Sequence, residues 1–231
     1  MIYLLILIFN IILFINISRI SIYLNLLDYP DNKRKLHLKP VSCAGGLFIF
    51  LNLTLLFLFT YLDFLNLKIL NINIQIYFFS GLFFILGFLD DKNNLNPYFK
   101  LFSLIFLTYL FITTYPNVKL IAINLSFLDN SVALEVWGIP ITILCYVLFI
   151  NALNFFDGIN LQTGLYTIFF LLILNYYSPN NLILFLLIPF AFFLYFNYKQ
   201  KIFLGNSGTH FLGFFLSYLS IYYYNTEKII F

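Results

Sequence analysis

Long apolar runs alternate with short polar segments along the whole chain. A helix that crosses a bilayer needs about 20 mostly apolar residues. Runs of this kind predict about eight membrane-spanning helices, at residues 1–23, 43–62, 71–89, 98–115, 138–156, 163–177, 181–197 and 209–224. Residues 116–137 are more polar and rich in β-branched side chains, which predicts a short external hairpin or loop. The pattern therefore predicts an all-α, polytopic helical bundle embedded in the membrane.

The basic residues predict which end of the bundle faces the cytoplasm, because Lys and Arg concentrate in cytoplasmic loops. With the N-terminus outside, only Lys68, Lys119 and Lys228 of the 12 Lys and Arg residues fall at the outer face. A shift of the threading by one span would reverse this bias. Residues 1–231 are thus expected to form a single multi-pass transmembrane domain, with its N-terminus outside the cytoplasm.

Composition supports the membrane class. Hydrophobic residues make up 62% of the chain and charged residues only 9%, whereas soluble domains carry roughly 25% charged residues. The composition excludes a soluble globular domain, and nucleic acid is not expected as a partner. The first apolar run has no basic N-terminal region and no small-residue cleavage site, so it is predicted to be a helix rather than a signal peptide.

Four polar clusters fall on the predicted cytoplasmic face. Ionisable groups at a membrane edge are functional candidates, and four such clusters on one side predict one site there. The clusters are residues 28–40 (DYPDNKRKLHLKP), 90–94 (DDKNN), 151–160 (NALNFFDGIN) and 203–210 (FLGNSGTH).

The second cluster begins with two adjacent acids, Asp90 and Asp91, where an apolar run ends. Two unit charges ~4 Å apart repel by about 4 kcal/mol at an effective dielectric constant of 20. Either one carboxyl is protonated or a cation lies between them. Mg²⁺ takes carboxylate ligands and bridges to phosphate oxygens. The alternative is an ordinary helix end with two solvated acids.

The third and fourth clusters supply amides, a further acid and glycines. Asn151, Asn154 and Asp157 recur every three residues, which places them on one face of a helix. Hydrogen bonding between helices is the alternative reading of that face. Gly205 and Gly208 precede an apolar helix whose free N–H groups would attract an anion, with a Ser or Thr of that segment as the predicted cap.

The first cluster is basic and would neutralise a substrate with several phosphates, or attract anionic lipid head groups. Together, the four clusters provide acids for a metal ion, amides, a glycine-rich helix start and basic side chains. That set is typical of phosphoryl transfer. At a membrane surface, the reactants would be one water-soluble phosphate compound and one lipid.

The motifs resemble, in order, the four cytoplasmic signatures of the polyprenyl-phosphate N-acetylhexosamine-1-phosphate transferases, glycosyltransferase family 4. They are DYPDNKRKLHLKPVSCAGG, GFLDDKNNLNPYFKL, NALNFFDGIN and NYKQKIFLGNSGTHFLG, between about residues 24 and 216. The Arg-Lys-x-His-x-x-Pro form resembles the undecaprenyl-phosphate GlcNAc-1-phosphate transferase branch.

The resemblance implies a Mg²⁺-dependent enzyme of the bacterial cytoplasmic membrane, with Mn²⁺ as an alternative metal and its active site facing the cytoplasm. Such enzymes move a sugar-1-phosphate from a UDP-N-acetylhexosamine to a polyprenyl phosphate lipid. They release UMP and begin the synthesis of a cell-surface glycan. A homodimer is left open.

The resemblance also implies roles for individual residues. Asp90, Asp91 and Asp157 match the catalytic acids. The metal ligands match Asp90, Asp91 and Asn206. The residues that match substrate-binding positions are Asn154, Asn197, Phe203, Lys100, Arg34, Lys35 and His37. Of these, Asn197 and Phe203 match the positions associated with the uracil.

The sequence departs from the family pattern at three points, and the first and the last of these favour a second hypothesis. Asn206 stands where the family has Asp, so weaker Mg²⁺ binding is expected. Leu161 follows DGIN where Gly is usual, and the chain is expected to be short at its C-terminus, lacking a histidine-rich loop. The second hypothesis is a truncated or degenerate homologue that binds lipid phosphate or nucleotide sugar without turnover. A small transporter is a weaker third hypothesis, since the polar residues lie at one edge.

Overall fold

The computed structural model describes residues 2–30, 39–61, 73–124, 131–177, 179 and 181–227, and over these ranges the chain is mainly helical. The helices are α1 (Ile2–Ile15), α2 (Ile17–Leu24), α3 (Gly45–Tyr61), α4 (Ile74–Asn93), α5 (Pro97–Thr114), α6 (Gly138–Phe156), α7 (Gln162–Tyr177), α8 (Asn181–Tyr198) and α9 (Gly205–Glu227). Two short antiparallel strand pairs accompany them: β1 (Leu27–Asp28) with β2 (Val41–Ser42), and β3 (Ala122–Ile123) with β4 (Val132–Ala133).

Helices occupy all eight segments predicted to span the membrane, but the first segment is divided. Its two helices, α1 and α2, meet at Asn16 with a bend of 61°. Among the described residues, four helices are long and apolar enough to cross a bilayer: Ile74–Asn93, Pro97–Thr114, Glu135–Phe156 and Asn181–Tyr198. The bent pair is a fifth candidate. The chain is therefore a polytopic helical membrane protein, and the count of eight spans stays a prediction.

Helix α9 is the central helix of the bundle. It packs most extensively against α4, then against α6 and α3. Its apolar side chains are buried, as for Phe211, Phe214 and Phe215. The Phe214 ring stacks on Phe83 of α4, with the centroids 4.5 Å apart, and meets Phe111 of α5 edge-on at 4.9 Å. This packing fixes the position of both ends of α9.

Small residues let the backbones of three helices touch near the start of α9. A methyl group on Gly46 of α3 would lie 2.2 Å from Gly208 Cα, and one on Gly87 of α4 would lie 2.2 Å from the Asn206 carbonyl oxygen. Helices in membranes associate through such close packing, because lipid tails are as apolar as the side chains. These glycines therefore bring α3 and α4 against the first turn of α9.

At the other end, α9 holds the predicted external segment. The Tyr224 hydroxyl donates to the Ala122 carbonyl at 3.2 Å and accepts from the Asn124 N–H at 2.7 Å. Asn225 Nδ2 donates to the Lys119 carbonyl at 2.9 Å. The strand pair β3–β4 lies within the segment predicted to form a hairpin or loop. These bonds from α9 pair with three backbone groups of that segment.

Candidate active site

The adjacent acids Asp90 and Asp91 have different partners. Asp90 is buried, its Oδ2 lies 2.8 Å from Lys100 Nζ, and its Oδ1 accepts the Leu95 N–H at 3.0 Å. Asp91 accepts the N–H groups of Asn206 at 2.7 Å and Ser207 at 2.9 Å. Successive helix residues are about 100° apart around the axis, so one acid reaches α5 and the other α9. In the described structure, each carboxylate therefore has partners of its own. A metal ion bound by both carboxylates stays a prediction.

The first turn of α9 is capped by two acids from other helices. Asp157, just after α6, accepts the Leu204 N–H at 3.1 Å and the Gly205 N–H at 2.8 Å. With the two amides bound by Asp91, four consecutive N–H groups donate to carboxylates. The predicted cap by a Ser or Thr of this segment is therefore replaced by Asp91 and Asp157. These amides orient both carboxylates and leave the helix start without free donors for a phosphate.

The ionisation of Asp157 reflects this position. Burial raises the pKa of the Asp157 carboxyl from 3.8 to about 7. The N–H groups of Gly205 and Leu204 oppose the rise, and the negative charges of Asp91 and Asp28 add to it. Asp157 therefore changes its protonation near neutral pH.

An amide network joins α6 to α9. Asn154 Nδ2 donates to Asn206 Oδ1 and to Thr209 Oγ1, the latter at 3.0 Å. The Thr209 hydroxyl donates to the Asn206 carbonyl at 3.3 Å. The predicted polar face of α6 thus meets the fourth cluster directly.

Backbone hydrogen bonds join the segment before α9 to β2 and to the start of α3. The N–H of Phe203 donates to the Ser42 carbonyl at 2.7 Å, and the N–H of Gly45 donates to the Phe203 carbonyl at 3.0 Å. Asn197 is buried, accepts the Leu161 N–H at 2.6 Å, and donates to the Ile202 carbonyl at 2.7 Å. These bonds set the position of Phe203 and use the Asn197 amide to hold two loops.

A cavity of about 590 Å³ opens at this end of the bundle, and residues from all four clusters line it. Its polar lining includes the carboxylates of Asp28, Asp91 and Asp157 and the amides of Asn154 and Asn206. The full lining is Leu26, Leu27, Asp28, Cys43, Asp91, Asn94, Asn154, Asp157, Gly158, Ile159, Asn160, Gln200, Phe203, Gly205 and Asn206. None of these described residues is Lys, Arg or His.

The structure brings together part of the predicted site. Asp91, Asp157, Asn154, Asn206 and Phe203 line the cavity. The described lining does not include three other predicted residues, Asp90, Lys100 and Asn197. Three more, Arg34, Lys35 and His37, lie outside the described residues.

Sequence reasoning missed Asp28 and the glycine contacts. Asp28 lies on β1 and lines the cavity together with Asp91 and Asp157. Asp28 begins the first polar cluster, which is a signal in the sequence, but most charged residues of that cluster are basic. The close approaches of Gly46 and Gly87 have no local signature, because their partners are distant in sequence.

The donor set suits a hard cation that is shared with a ligand. Within the described residues, no three His, Cys, Asp or Glu side chains are grouped closely enough to hold a metal ion by themselves. Mg²⁺ is usually held by one or two carboxylates together with substrate phosphates. Asp91 and Asp157 line one cavity, so their oxygens fit that mode.

The fold and the site define a multi-pass helical membrane protein with an acidic, amide-lined cavity at one end. The sequence profile described as glycosyl transferase family 4 matches residues 73–224. The chain belongs to that family, as its four motifs predicted.

A named relative agrees with this assignment. The chain is 28% identical over 213 residues to the probable undecaprenyl-phosphate N-acetylglucosaminyl 1-phosphate transferase of Bacillus subtilis (strain 168). The match covers 89% of this chain and 57% of that protein. The chain thus spans a little over half the length of this relative.

Proposed function

We propose that this protein transfers an N-acetylhexosamine-1-phosphate from a UDP-sugar to undecaprenyl phosphate or a related polyprenyl phosphate. UMP would be released, and the product would begin a cell-surface glycan. Family membership and the activity for which the Bacillus subtilis relative is named support the proposal. The observation that carries it is the cavity where all four polar clusters meet, with Asp91 and Asp157 in its wall.

The reaction is a substitution at the β-phosphorus of the UDP-sugar. An oxygen of the lipid phosphate forms the new P–O bond, the bond to the bridging oxygen breaks, and UMP leaves with that oxygen. In a two-step variant, an Asp carboxylate attacks first and the lipid phosphate then displaces it. Both routes concentrate negative charge at the transferred phosphoryl group, so the site must stabilise it.

We propose Mg²⁺ as the cofactor, with Mn²⁺ as a substitute, held by Asp91 and Asp157 together with substrate phosphates. A bound divalent ion would neutralise phosphate charge and polarise a phosphoryl oxygen. The chain's own contribution is to fix the ligands, since each carboxylate accepts two backbone N–H groups at the start of α9. These bonds leave further lone pairs of the carboxylates for a cation.

The remaining assignments follow from the family resemblance and stay proposals. Phe203 lines the cavity and is proposed to stack on the uracil. Asn154 is proposed to contact the nucleotide, and Asn197 to position that region through its two loops. The side chains proposed to meet substrate phosphates are Lys100, Arg34, Lys35 and His37. The site is proposed to face the cytoplasm of a bacterial cell, with homodimer formation open.

The test is UMP release by the purified protein in detergent, from UDP-GlcNAc and undecaprenyl phosphate, with Mg²⁺ and with EDTA. The proposal predicts UMP release that requires both the lipid phosphate and the metal. Folded protein that releases no UMP from a panel of UDP-N-acetylhexosamines would contradict the proposal and favour a non-catalytic member of the family.

A further inference from the structure

We infer that Asn206 presents its amide NH₂ group to the cavity and binds a phosphate oxygen of the ligand, instead of ligating the metal ion. The inference deepens the proposed function, and rests on it for the phosphate chemistry of the ligand. It follows from the hydrogen bonds that join Asn154, Asn206 and Thr209.

The donor and acceptor directions in this hydrogen-bond network are set by a group that can only accept a hydrogen bond. The Asn206 backbone carbonyl has no proton to give, so the Thr209 hydroxyl, 3.3 Å away, donates its single proton there. Thr209 is fully buried. Its oxygen therefore acts as the acceptor toward the Asn154 side chain at 3.0 Å, and the group that faces it must be the Asn154 NH₂.

The second proton of the same NH₂ group then orients Asn206. Asn154 Nδ2 meets the Asn206 side chain, and a donor must face an acceptor there, which is Oδ1. The reverse orientation of Asn206 would set two NH₂ groups against each other. Since the carboxamide oxygen is used toward α6, its NH₂ edge is the one left for the cavity that Asn206 lines.

This orientation separates two chemical roles within one cavity. The carboxylates of Asp91 and Asp157 attract a cation, whereas an NH₂ group is a donor that suits an anionic oxygen. The described lining has no Lys, Arg or His side chain, and the first amides of α9 already donate to the two acids. A neutral donor at Asn206 therefore supplies a phosphate contact from α9. No other α9 group in the described lining supplies such a contact.

The experiment compares the wild-type chain with Asn206→Ala, Asn206→Asp and a matched control, Asn160→Asp. The control adds the same charge to the same cavity lining without entering the network between α6 and α9. Two ligands are titrated in detergent: Mn²⁺ alone, by the electron paramagnetic resonance signal of the free ion, and pyrophosphate at saturating Mn²⁺, by calorimetry. Gel filtration and thermal unfolding establish that each variant is folded.

The donor role predicts that Asn206→Ala weakens pyrophosphate binding about tenfold, the usual loss for a hydrogen bond to a charged group, and leaves Mn²⁺ binding unchanged. Asn206→Asp should bind Mn²⁺ more tightly and pyrophosphate more weakly, with both effects larger than in Asn160→Asp. Asn206→Asp is close in shape and can still accept from Asn154, so it retains the fold if Asn206→Ala does not.

Three results would overturn the inference. One is weaker Mn²⁺ binding in Asn206→Ala, which would make Oδ1 a metal ligand. Another is tighter pyrophosphate binding in Asn206→Asp, and the third is a folded wild type that binds no pyrophosphate. These binding measurements involve no turnover. A protein that shows the predicted pattern but releases no UMP would keep this inference while the proposed function fails.

Discussion

The two ends of α9 are both held by polar contacts to distant parts of the chain, yet they differ in kind. At the C-terminal end, neutral groups of Tyr224 and Asn225 satisfy backbone atoms of the segment predicted to be external. At the N-terminal end, the carboxylates of Asp91 and Asp157 bind four backbone N–H groups and line a cavity. A polar contact alone therefore does not mark a functional site, whereas charged side chains that line a cavity do.

The difference has a physical basis in the surroundings. A neutral hydrogen bond at the end of a membrane helix satisfies groups that would otherwise lack partners. Burying a carboxylate is unfavourable and is the main cause of the raised pKa of Asp157, to which the nearby negative charge of Asp91 adds. The start of α9 retains that unfavourable arrangement, which is the feature expected of a binding or catalytic site.

The largest effect is expected from Asp91→Asn. If the start of α9 is the active end, loss of this carboxylate should lower the rate of UMP release about a thousandfold or more, because charge stabilisation of this kind contributes several kcal/mol. The matched control at the other end is Tyr224→Phe. It should keep the wild-type rate and lose about 1–3 kcal/mol of stability, because its hydroxyl makes two hydrogen bonds of about 0.5–1.5 kcal/mol each. Equal rates for the two variants would remove the distinction between the ends.

The next effect concerns the acid that does not line the cavity. Lys100→Met would leave the Asp90 carboxylate buried without its cation, so the free energy of unfolding should fall by about 3–5 kcal/mol. The double variant Asp90→Asn, Lys100→Met should recover most of that loss. Thermal or denaturant unfolding in detergent measures both values. A double variant as unstable as the single one would show that the pair is not the cause.

A smaller effect is expected from Gly87→Ala, compared with Gly81→Ala on the same helix. The new methyl group would lie 2.2 Å from the Asn206 carbonyl in the first case and 3.6 Å from Phe50 Cζ in the second. Overpacking should lower the free energy of unfolding by about 1–3 kcal/mol for Gly87→Ala, and UMP release should fall as α9 shifts. Gly81→Ala should leave both quantities near their wild-type values. Equal losses of stability and activity in the two variants would contradict the close approach of α4 and α9 at Gly87.

The last prediction concerns the pH dependence of stability that Asp157 contributes. Its pKa in the folded protein, about 7, lies above the ordinary value of 3.8. The folded chain therefore holds the proton more tightly, and this contribution to stability is present below about pH 4 and lost as the pH rises through 7. Asp157→Asn should make the free energy of unfolding less dependent on pH in this window. An unchanged pH dependence would show that Asp157 ionises as it does in the unfolded chain.

Much of the architecture was predictable from the sequence because length and hydropathy identify membrane helices. Every predicted span contains a helix, and β3–β4 lies in the predicted external segment. The bend at Asn16 was not predicted, since an apolar run gives no sign of where its helix changes direction. The polar character of α9 indicated its functional end but not its central place in the bundle.

The sequence predicted five residues of the cavity lining, but it did not predict their contacts. The three-residue spacing predicted that Asn154 and Asp157 share one face, and both side chains contact the start of α9 in the structure. The divergence of Asp90 and Asp91 depends on the rotation of α4 against its neighbours, which local sequence does not encode. The same holds for the two acids that cap α9 and for Asp28, whose neighbours are distant along the chain.

The central claim is that UDP-sugar binds in the cavity at the start of α9. The most direct test labels one cysteine at each end of the bundle, in chains with Cys43 and Cys145 replaced by Ala. Gly158→Cys lies in the cavity lining, where an added Cβ has no neighbour closer than 3.9 Å, and Val136→Cys lies at the other end, where Val136 is 81% exposed. Alkylation rates are measured with and without UDP-GlcNAc and Mg²⁺. The account predicts that the nucleotide sugar slows alkylation at position 158 several-fold and leaves position 136 unchanged. Equal rates at position 158, at a UDP-GlcNAc concentration that saturates UMP release when lipid phosphate is added, would contradict it.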